Sequence, residues 1–309
     1  MNKEYPVKPF PERITTEITN NCNLKCTMCP RHSTNKKTGY MPLDLYRKII
    51  EEVKHHLPAT LVPFFRGESL LHTDFFEMME IAVISGLTPI QLATNATLLD
   101  NEISEKLIKS NIDFVSFSLD IDKKNYELSH IGGDFEKVIN NIDNFIAIKK
   151  SINTKNPEIQ VSTVETDENR DGLHEFTQYW IKKVDRVRVY PEHSTNGTFG
   201  SLDSSYKYSD FKQRRPCKKV FTDIVIYWDG TVAVCNHDWD RGEYIGNVRD
   251  NTIQDIWTGN KYKEIRKRHL EGNLENDETC KDCDHWKMYY IEGGKIGRLY
   301  KKQEKILFS

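Results

Sequence analysis

Seven cysteines fall into two groups by spacing. Cys22, Cys26 and Cys29 stand in the stretch Asn21-Cys22-Asn23-Leu24-Lys25-Cys26-Thr27-Met28-Cys29-Pro30, a C-x3-C-x2-C pattern. Three thiolates in one loop suit three corners of a cubic iron–sulfur cluster, whose irons are held by cysteine sulfur. The fourth iron then lacks a protein ligand, and an open coordination position marks reactivity rather than structural support. A zinc site short of one ligand, or buried free thiols, satisfies the same spacing. The remaining cysteines are Cys217, Cys235, Cys280 and Cys283. Cys280 and Cys283 form a C-x2-C turn, and Cys235 follows Gly230 as G-x4-C. Four thiolates on a hairpin and a facing turn fit zinc or a fully ligated four-iron cluster; a disulfide pair is a further alternative. The cysteine number is odd, and the first ten residues, MNKEYPVKPF, have no apolar stretch. Both features argue against export and a disulfide framework, and for reduced thiols in the cytoplasm.

Alternating strands and helices must position the first group. Residues 13–19 are rich in β-branched side chains and predict a strand that delivers the chain to Cys22. Further strands are expected at 60–66, 89–93, 114–119, 159–164 and 186–190. Between them, helical spacing of apolar residues predicts helices at 42–56, 74–85, 101–110, 134–150 and 172–183. Leu43, Leu45, Ile49, Ile50 and Val53 illustrate that spacing, as do Val138, Ile142, Phe145 and Ile146. Strands alternating with helices point to βα units and a parallel sheet. Six units are too few for a closed eight-stranded barrel, so a partial barrel or an open sheet is expected. Such folds place active sites at the carboxyl ends of the strands, where the first cysteine loop falls.

Periodicity fails over 193–216, a Ser-, Gly- and Thr-rich stretch read as a linker or as a lining of the substrate entry. Two β-rich runs flanking Asp229-Gly230 then predict a hairpin, followed by short helices at 253–257 and 262–270. The expected division is 1–192, 193–216 and 217–309. From Lys287 the tail is basic and reads as a solvated helix face, with contact to RNA or a reductase as the alternative. Lys and Arg number 44 against 46 Asp and Glu, a net charge of −2, so the overall basic footprint of a nucleic-acid binder is absent. Hydrophobic residues are 38% of the chain, enough for a packed core. No run approaches the roughly 18 apolar residues of a membrane span.

The cysteine loop and the strand ends together resemble the radical S-adenosylmethionine (SAM) superfamily, over residues 12–190. The resemblance implies a [4Fe–4S] cluster on Cys22, Cys26 and Cys29 that binds SAM through its unique iron. One electron then splits SAM into methionine and a 5′-deoxyadenosyl radical, which abstracts a hydrogen atom from substrate. It implies Met28 against the adenine. Gly67 and Glu68 match the stretch that holds the SAM amino group, although Arg66 and Ser69 depart from its usual Gly-Gly-Glu-Pro. Thr94-Asn95, with Ala96 in place of the usual glycine, and Ser118 with Asp120 match the next two strand ends; Ser118 would meet the SAM carboxylate or ribose.

The C-terminal segment resembles the SPASM/twitch extension of many such enzymes. Cys217, Gly230 and Cys235 meet its opening pattern, and Gly246-Asn247-Val248 with residues 253–257 is similar to the stretch that follows it. No cysteine follows Cys283. The resemblance therefore implies one auxiliary [4Fe–4S] cluster on all four cysteines.

Three plus four uses every cysteine, which leaves no thiol to return a hydrogen atom and disfavours a thiol-quenched epimerase. The expectation is a radical SAM oxidoreductase with a partial (β/α)6 TIM-like barrel and a small hairpin-plus-helix extension. It would remove two electrons from a small hydroxylated molecule (sugar, cyclitol or nucleotide-sugar), with the auxiliary cluster as acceptor. Flavodoxin or ferredoxin would supply the first electron; neither membrane nor nucleic acid is expected as a partner. Only about a dozen residues precede the first strand, too few for a fused peptide-recognition domain of roughly 40 residues or more. The alternatives are peptide modification, epimerisation with another hydrogen donor, and a four-cysteine zinc-binding interaction protein. Arg66, Tyr190 and His237 are the leading candidates for substrate and proton handling, beside Glu165, Arg188, Glu192 and His193. Arg66 would orient an anionic or hydroxylated substrate, or pair with a carboxylate. His237 titrates near neutral pH, unless it and Asp238 are merely exposed loop residues.

Overall fold

The computed structural model describes residues 5–33, 37–192, 213–240, 242–290 and 298–302. His193 and nearly all of the Ser/Thr-rich stretch lie outside the described residues. Six strands follow one another in chain order: β1 (Arg13–Thr16), β2 (Thr60–Val62), β3 (Gln91–Thr94), β4 (Phe114–Ser118), β5 (Glu158–Glu165) and β6 (Arg186–Pro191). β1 and β2 pair in parallel, as do β3 with β4, β4 with β5, and β5 with β6. A single parallel bridge, Leu61 to Ile90, joins the two halves between β2 and β3. Parallel strands in sequence order, each followed by a crossover, make the partial barrel expected of six βα units.

The crossovers carry α1 (Leu43–Val53), α2 (Phe75–Ile84), α3 (Asn101–Lys109), α4 (Lys123–Ser129), α5 (Phe135–Ile152) and α6 (Leu173–Trp180). Their ends follow local chemistry. Asp100 and Asp134 cap α3 and α5 by accepting from the Ile103 and Lys137 amides. Gly86, at φ +80°, turns the chain out of α2. α4 was not predicted, because its seven residues bury only Tyr126 and so show no apolar period.

The strands sort their side chains by alternation. Val115, Phe117, Ile159, Val161 and Val187 belong to the core shared with the helices, Phe117 meeting Phe145 of α5 edge-on at 5.2 Å. Burying each such side chain contributes about 1.5–3 kcal/mol. The intervening residues therefore face the barrel interior: Ser116 and Ser118 on β4, Gln160 and Ser162 on β5, Arg186, Arg188 and Tyr190 on β6. Phe114 and Val164 apart, that face is polar, unlike the aliphatic filling of a closed barrel.

The C-terminal segment comprises α7 (Lys219–Thr222), β7 (Asp223–Ile226), β8 (Val232–Ala233), α8 (Ile253–Thr258), α9 (Asn260–Glu271) and β9 (Arg298–Lys301). β7 and β8 form the expected hairpin around Gly230, whose φ of +91° suits glycine alone. The hairpin does not make a sheet of its own: β7 lies parallel beside β1. β9 pairs antiparallel with β6 at the opposite edge. The C-terminal segment thus covers both open edges of the partial barrel, where unpaired backbone groups would otherwise face solvent. This corrects the helical reading of the basic tail at Arg298–Lys301, which form a strand because β6 offers them a free edge; Lys295 and Lys305 lie outside the described residues. Among the described residues, no helix is long and apolar enough to cross a membrane.

Candidate active site

β1 ends at Thr16, and the chain runs on into the first cysteine loop. Its conformation is fixed from three sides. Lys25–Cys26 form a two-residue ribbon with His130–Ile131, just past α4, and the Thr27 amide donates to the Ser129 carbonyl at 2.8 Å. From β2, the Glu68 amide donates to the Asn21 carbonyl at 2.8 Å. Here the chain packs so closely that a β-carbon on Gly67 would lie 2.4 Å from the Thr19 carbonyl oxygen and 2.5 Å from that of Asn21. From β3, Asn95 Nδ2 reaches Cys22 Sγ at 3.8 Å and Asn23 Oδ1 at 3.0 Å. Ala96 takes φ +60° at the position where the resembling stretch has glycine.

Several residues expected to contact SAM also brace this loop. The buried Glu68 carboxylate accepts from Thr94 Oγ1 (2.9 Å), the Asn95 amide (2.8 Å) and the Leu70 amide (3.2 Å). Burial raises its pKa, and those donors work against the rise. Asp120 accepts from Ser129 Oγ (3.0 Å) and Asn169 Nδ2 (3.0 Å), so it holds the end of α4 from which the Thr27 contact hangs. These side chains also brace the scaffold around the loop. Met28 and Ser118 stay half-buried beside the loop and on the inner face respectively.

The three thiols are half-buried and sense one another. Burial pushes Cys26 up to about 12, and the Cys29 and Cys22 sulfurs push the same way. Burial raises Cys22 and Cys29 too, against pulls from the Leu24 and Arg31 backbone. Thiols buried this way bind as thiolates only where a cationic centre supplies the opposing charge. Asn95 and Arg31 add donors around the sulfurs. The site therefore fits a cationic iron–sulfur core.

The second group comes from three places in the chain. Cys217 precedes α7, Cys235 follows β8, and Cys280 and Cys283 sit in a turn after α9. Burial raises all four, and Cys235, Cys280 and Cys283 are each raised further by the sulfur of Cys217. Backbone amides oppose this: the His237 N–H donates to Cys235 Sγ at 3.3 Å, and Lys219 and His285 act likewise on Cys217 and Cys283. Asp277 shapes the turn by accepting from the Cys280 amide at 2.9 Å. No three His, Cys, Asp or Glu side chains among the described residues close on a point that one metal ion would fill. Zinc takes its ligands at about 2.0–2.3 Å; a four-iron cube is larger and is held by thiolates set further apart.

Two of the three leading candidates for substrate handling have other surroundings than expected. Arg66 is buried and paired with Glu17: Nε donates to Oε1, and Nη2 donates to Oε2 at 2.8 Å. Its Nη1 donates to the Trp239 carbonyl at 2.9 Å, and the guanidinium stacks 4.3 Å from the Tyr227 ring centre. This is the carboxylate-paired arrangement of Arg66. His237 and Asp238 are buried, which overturns the exposed-loop alternative. His237 lies 4.1 Å from the ring of His285, two residues beyond Cys283. Tyr190 keeps to the inner face, with the Arg188 guanidinium 5.4 Å from its ring centre. Glu165 shares the outer face with Val161 and is paired with Arg170 (3.2 Å) and Arg298 (2.7 Å). Glu192 is half-buried, and its pKa is raised first by burial and then by Glu168 and Asp167.

One residue of the second centre was not anticipated. His269 on α9 is buried beside Cys280, its Nε2 3.6 Å from Sγ. A signal existed: Tyr262, Ile265 and His269 recur at helical spacing on the buried face.

The radical SAM superfamily model matches residues 16–193, and that of the SPASM iron–sulfur cluster-binding domain matches residues 217–284. The chain is 29% identical over 317 residues to the tungsten-containing aldehyde ferredoxin oxidoreductase cofactor-modifying protein of Pyrococcus furiosus, covering 86% of this chain and 85% of that protein. It is 25% identical over 282 residues to the S-adenosyl-L-methionine-dependent 2-deoxy-scyllo-inosamine dehydrogenase of Niallia circulans, covering 88% and 92%. Its fold matches the crystal structure of BtrN in complex with AdoMet and 2-DOIA, with a TM-score of 0.60 and 18% identity over 90% of this chain and 94% of the other. With these matches and two cysteine centres on a partial barrel, the chain belongs to the radical SAM superfamily, as an enzyme with a SAM-binding [4Fe–4S] cluster and a SPASM auxiliary iron–sulfur cluster.

Proposed function

We propose that this enzyme oxidises a hydroxyl-bearing carbon of a small substrate by two electrons, converting CH–OH to C=O. In this reading Cys22, Cys26 and Cys29 hold the SAM-binding cluster, and Cys217, Cys235, Cys280 and Cys283 hold the auxiliary one. When bound, these groups supply a 5′-deoxyadenosyl radical, made with one electron from a flavodoxin- or ferredoxin-type donor in the cytoplasm, and an acceptor for the electron left on the substrate.

The chain's own residues do the rest. Met28 lies against the adenine, and Ser118 meets the SAM carboxylate or ribose. Ser162 and Arg188, register partners on β5 and β6, orient the substrate hydroxyls together with Tyr190. Glu192, two residues beyond Tyr190 and with its pKa raised by burial, takes the hydroxyl proton. One hydrogen atom, one proton and one electron leave the substrate, which balances a two-electron dehydrogenation.

The observation that carries this reading is that every cysteine is engaged in one of the two groups, so no thiol is left to return a hydrogen atom. Its polar inner face and its 25% identity to a 2-deoxy-scyllo-inosamine dehydrogenase support the substrate class. A second reading, a substrate that is itself a cofactor of another oxidoreductase, is favoured by the 29% identity to a cofactor-modifying protein. The test is an anaerobic assay with a panel of aminocyclitols and nucleotide-sugars, followed by mass spectrometry. One of them should lose two hydrogens with stoichiometric 5′-deoxyadenosine. With that substrate, Cys280→Ala should keep SAM cleavage and lose product. Unchanged product from Cys280→Ala removes the auxiliary cluster from the mechanism.

A further inference from the structure

We infer that His269 is a hydrogen-bond donor to the sulfur of Cys280 and raises the reduction potential of the auxiliary cluster. The inference rests on the assignment of Cys217, Cys235, Cys280 and Cys283 as that cluster's ligands. Three observations lead to it. His269 sits on the buried face of α9 and is 1% exposed. Its Nδ1 receives the Cys217 amide N–H at 3.3 Å. Its Nε2 lies 3.6 Å from Cys280 Sγ.

Together these contacts decide the tautomer. A backbone amide only donates, so Nδ1 must present its lone pair and carry no proton. In the neutral ring the proton is then on Nε2, and it points at the sulfur. An imidazolium would set an N–H against the Cys217 N–H and is excluded by the same contact. One ring therefore bridges two ligand positions at opposite ends of the C-terminal segment, accepting from the first and donating to the third.

The other three sulfurs are served by backbone amides, those of Lys219, His237 and His285. Cys280 is served by a side chain, so this donor can be removed by substitution. Hydrogen bonds to cluster sulfur stabilise the more negative, reduced state and raise the potential. A higher potential favours uptake of an electron from a substrate-derived radical. His269 is accordingly a positioning and tuning residue that acts through Cys280.

The test is a redox titration of the full-length, anaerobically purified protein, followed by electron paramagnetic resonance. His269→Phe should shift the auxiliary cluster to a lower midpoint potential and leave the SAM-binding cluster where it was. His269→Gln, which retains an N–H donor, should recover part of the shift. A phenylalanine variant with a loaded auxiliary cluster and wild-type potential overturns the inference. Should that variant fail to load, His269→Gln decides: loading restored by the amide supports the hydrogen bond, and failure of both assigns His269 to packing alone. Cys280→Ala separates the two claims. A wild-type auxiliary signal in that variant refutes the ligand assignment, whereas loss of the signal with no effect of His269→Phe refutes only the donor.

Discussion

The tightest steric demand around the first cysteine loop falls on Gly67, where any side chain would collide with the Thr19 and Asn21 carbonyls. The Asn21 carbonyl cannot retreat without losing the Glu68 amide, and Thr19 is held by its bridge to Tyr40. Gly67→Ala should destabilise the protein by about 1–3 kcal/mol, the usual cost of overpacking. It should also lower iron retention at the first centre; urea denaturation and iron analysis check both. Gly67 and Glu68 were legible as a motif, but the work of the Glu68 carboxylate was not. Its partners, Thr94 and Asn95, come from the next strand, so only the folded barrel brings them together. For Asp120 the same holds: Ser129 and Asn169 reach it from two different crossovers. Glu165 was named as a candidate, but its face was misread. Strand alternation alone puts it on the face of Val161 and Thr163, away from the barrel interior.

Among the elements, the buried pair of Arg66 and Glu17, with Trp239 and Tyr227 on its far side, adds to the β1–β7 pairing that joins the hairpin to the barrel. Removing one partner of a buried pair strands a charge and typically costs about 3–5 kcal/mol, whereas replacing both with apolar residues is far milder. Arg66→Met should therefore be strongly destabilising. Arg66→Met with Glu17→Leu should regain most of the loss in urea denaturation and retain 5′-deoxyadenosine formation. A stable but inactive double variant would return Arg66 to the catalytic machinery. The strands and the longer helices were readable from apolar spacing. The ribbon of Lys25–Cys26 with His130–Ile131 was not, since two residues cannot show a period and their pairing depends on where α4 ends.

Seen whole, the molecule is a six-stranded partial barrel whose two open edges are occupied by strands from the C-terminal segment, β7 beside β1 and β9 beside β6. The sequence announced a hairpin and a basic tail, and both exist, but edge pairing is a long-range fact that no local pattern encodes. The two cysteine groups were fully legible, because thiol chemistry constrains spacing within a turn. Anaerobically purified protein should hold about eight irons per chain, as two four-iron cubes; four irons would mean that one centre is misassigned. The central claim is that Cys22, Cys26 and Cys29 hold the cluster that cleaves SAM. It is tested most directly by 5′-deoxyadenosine formation with dithionite, comparing the wild type with the variant in which all three are alanine. The account predicts robust formation in the first and none in the second. Formation that persists without those three thiols would contradict it.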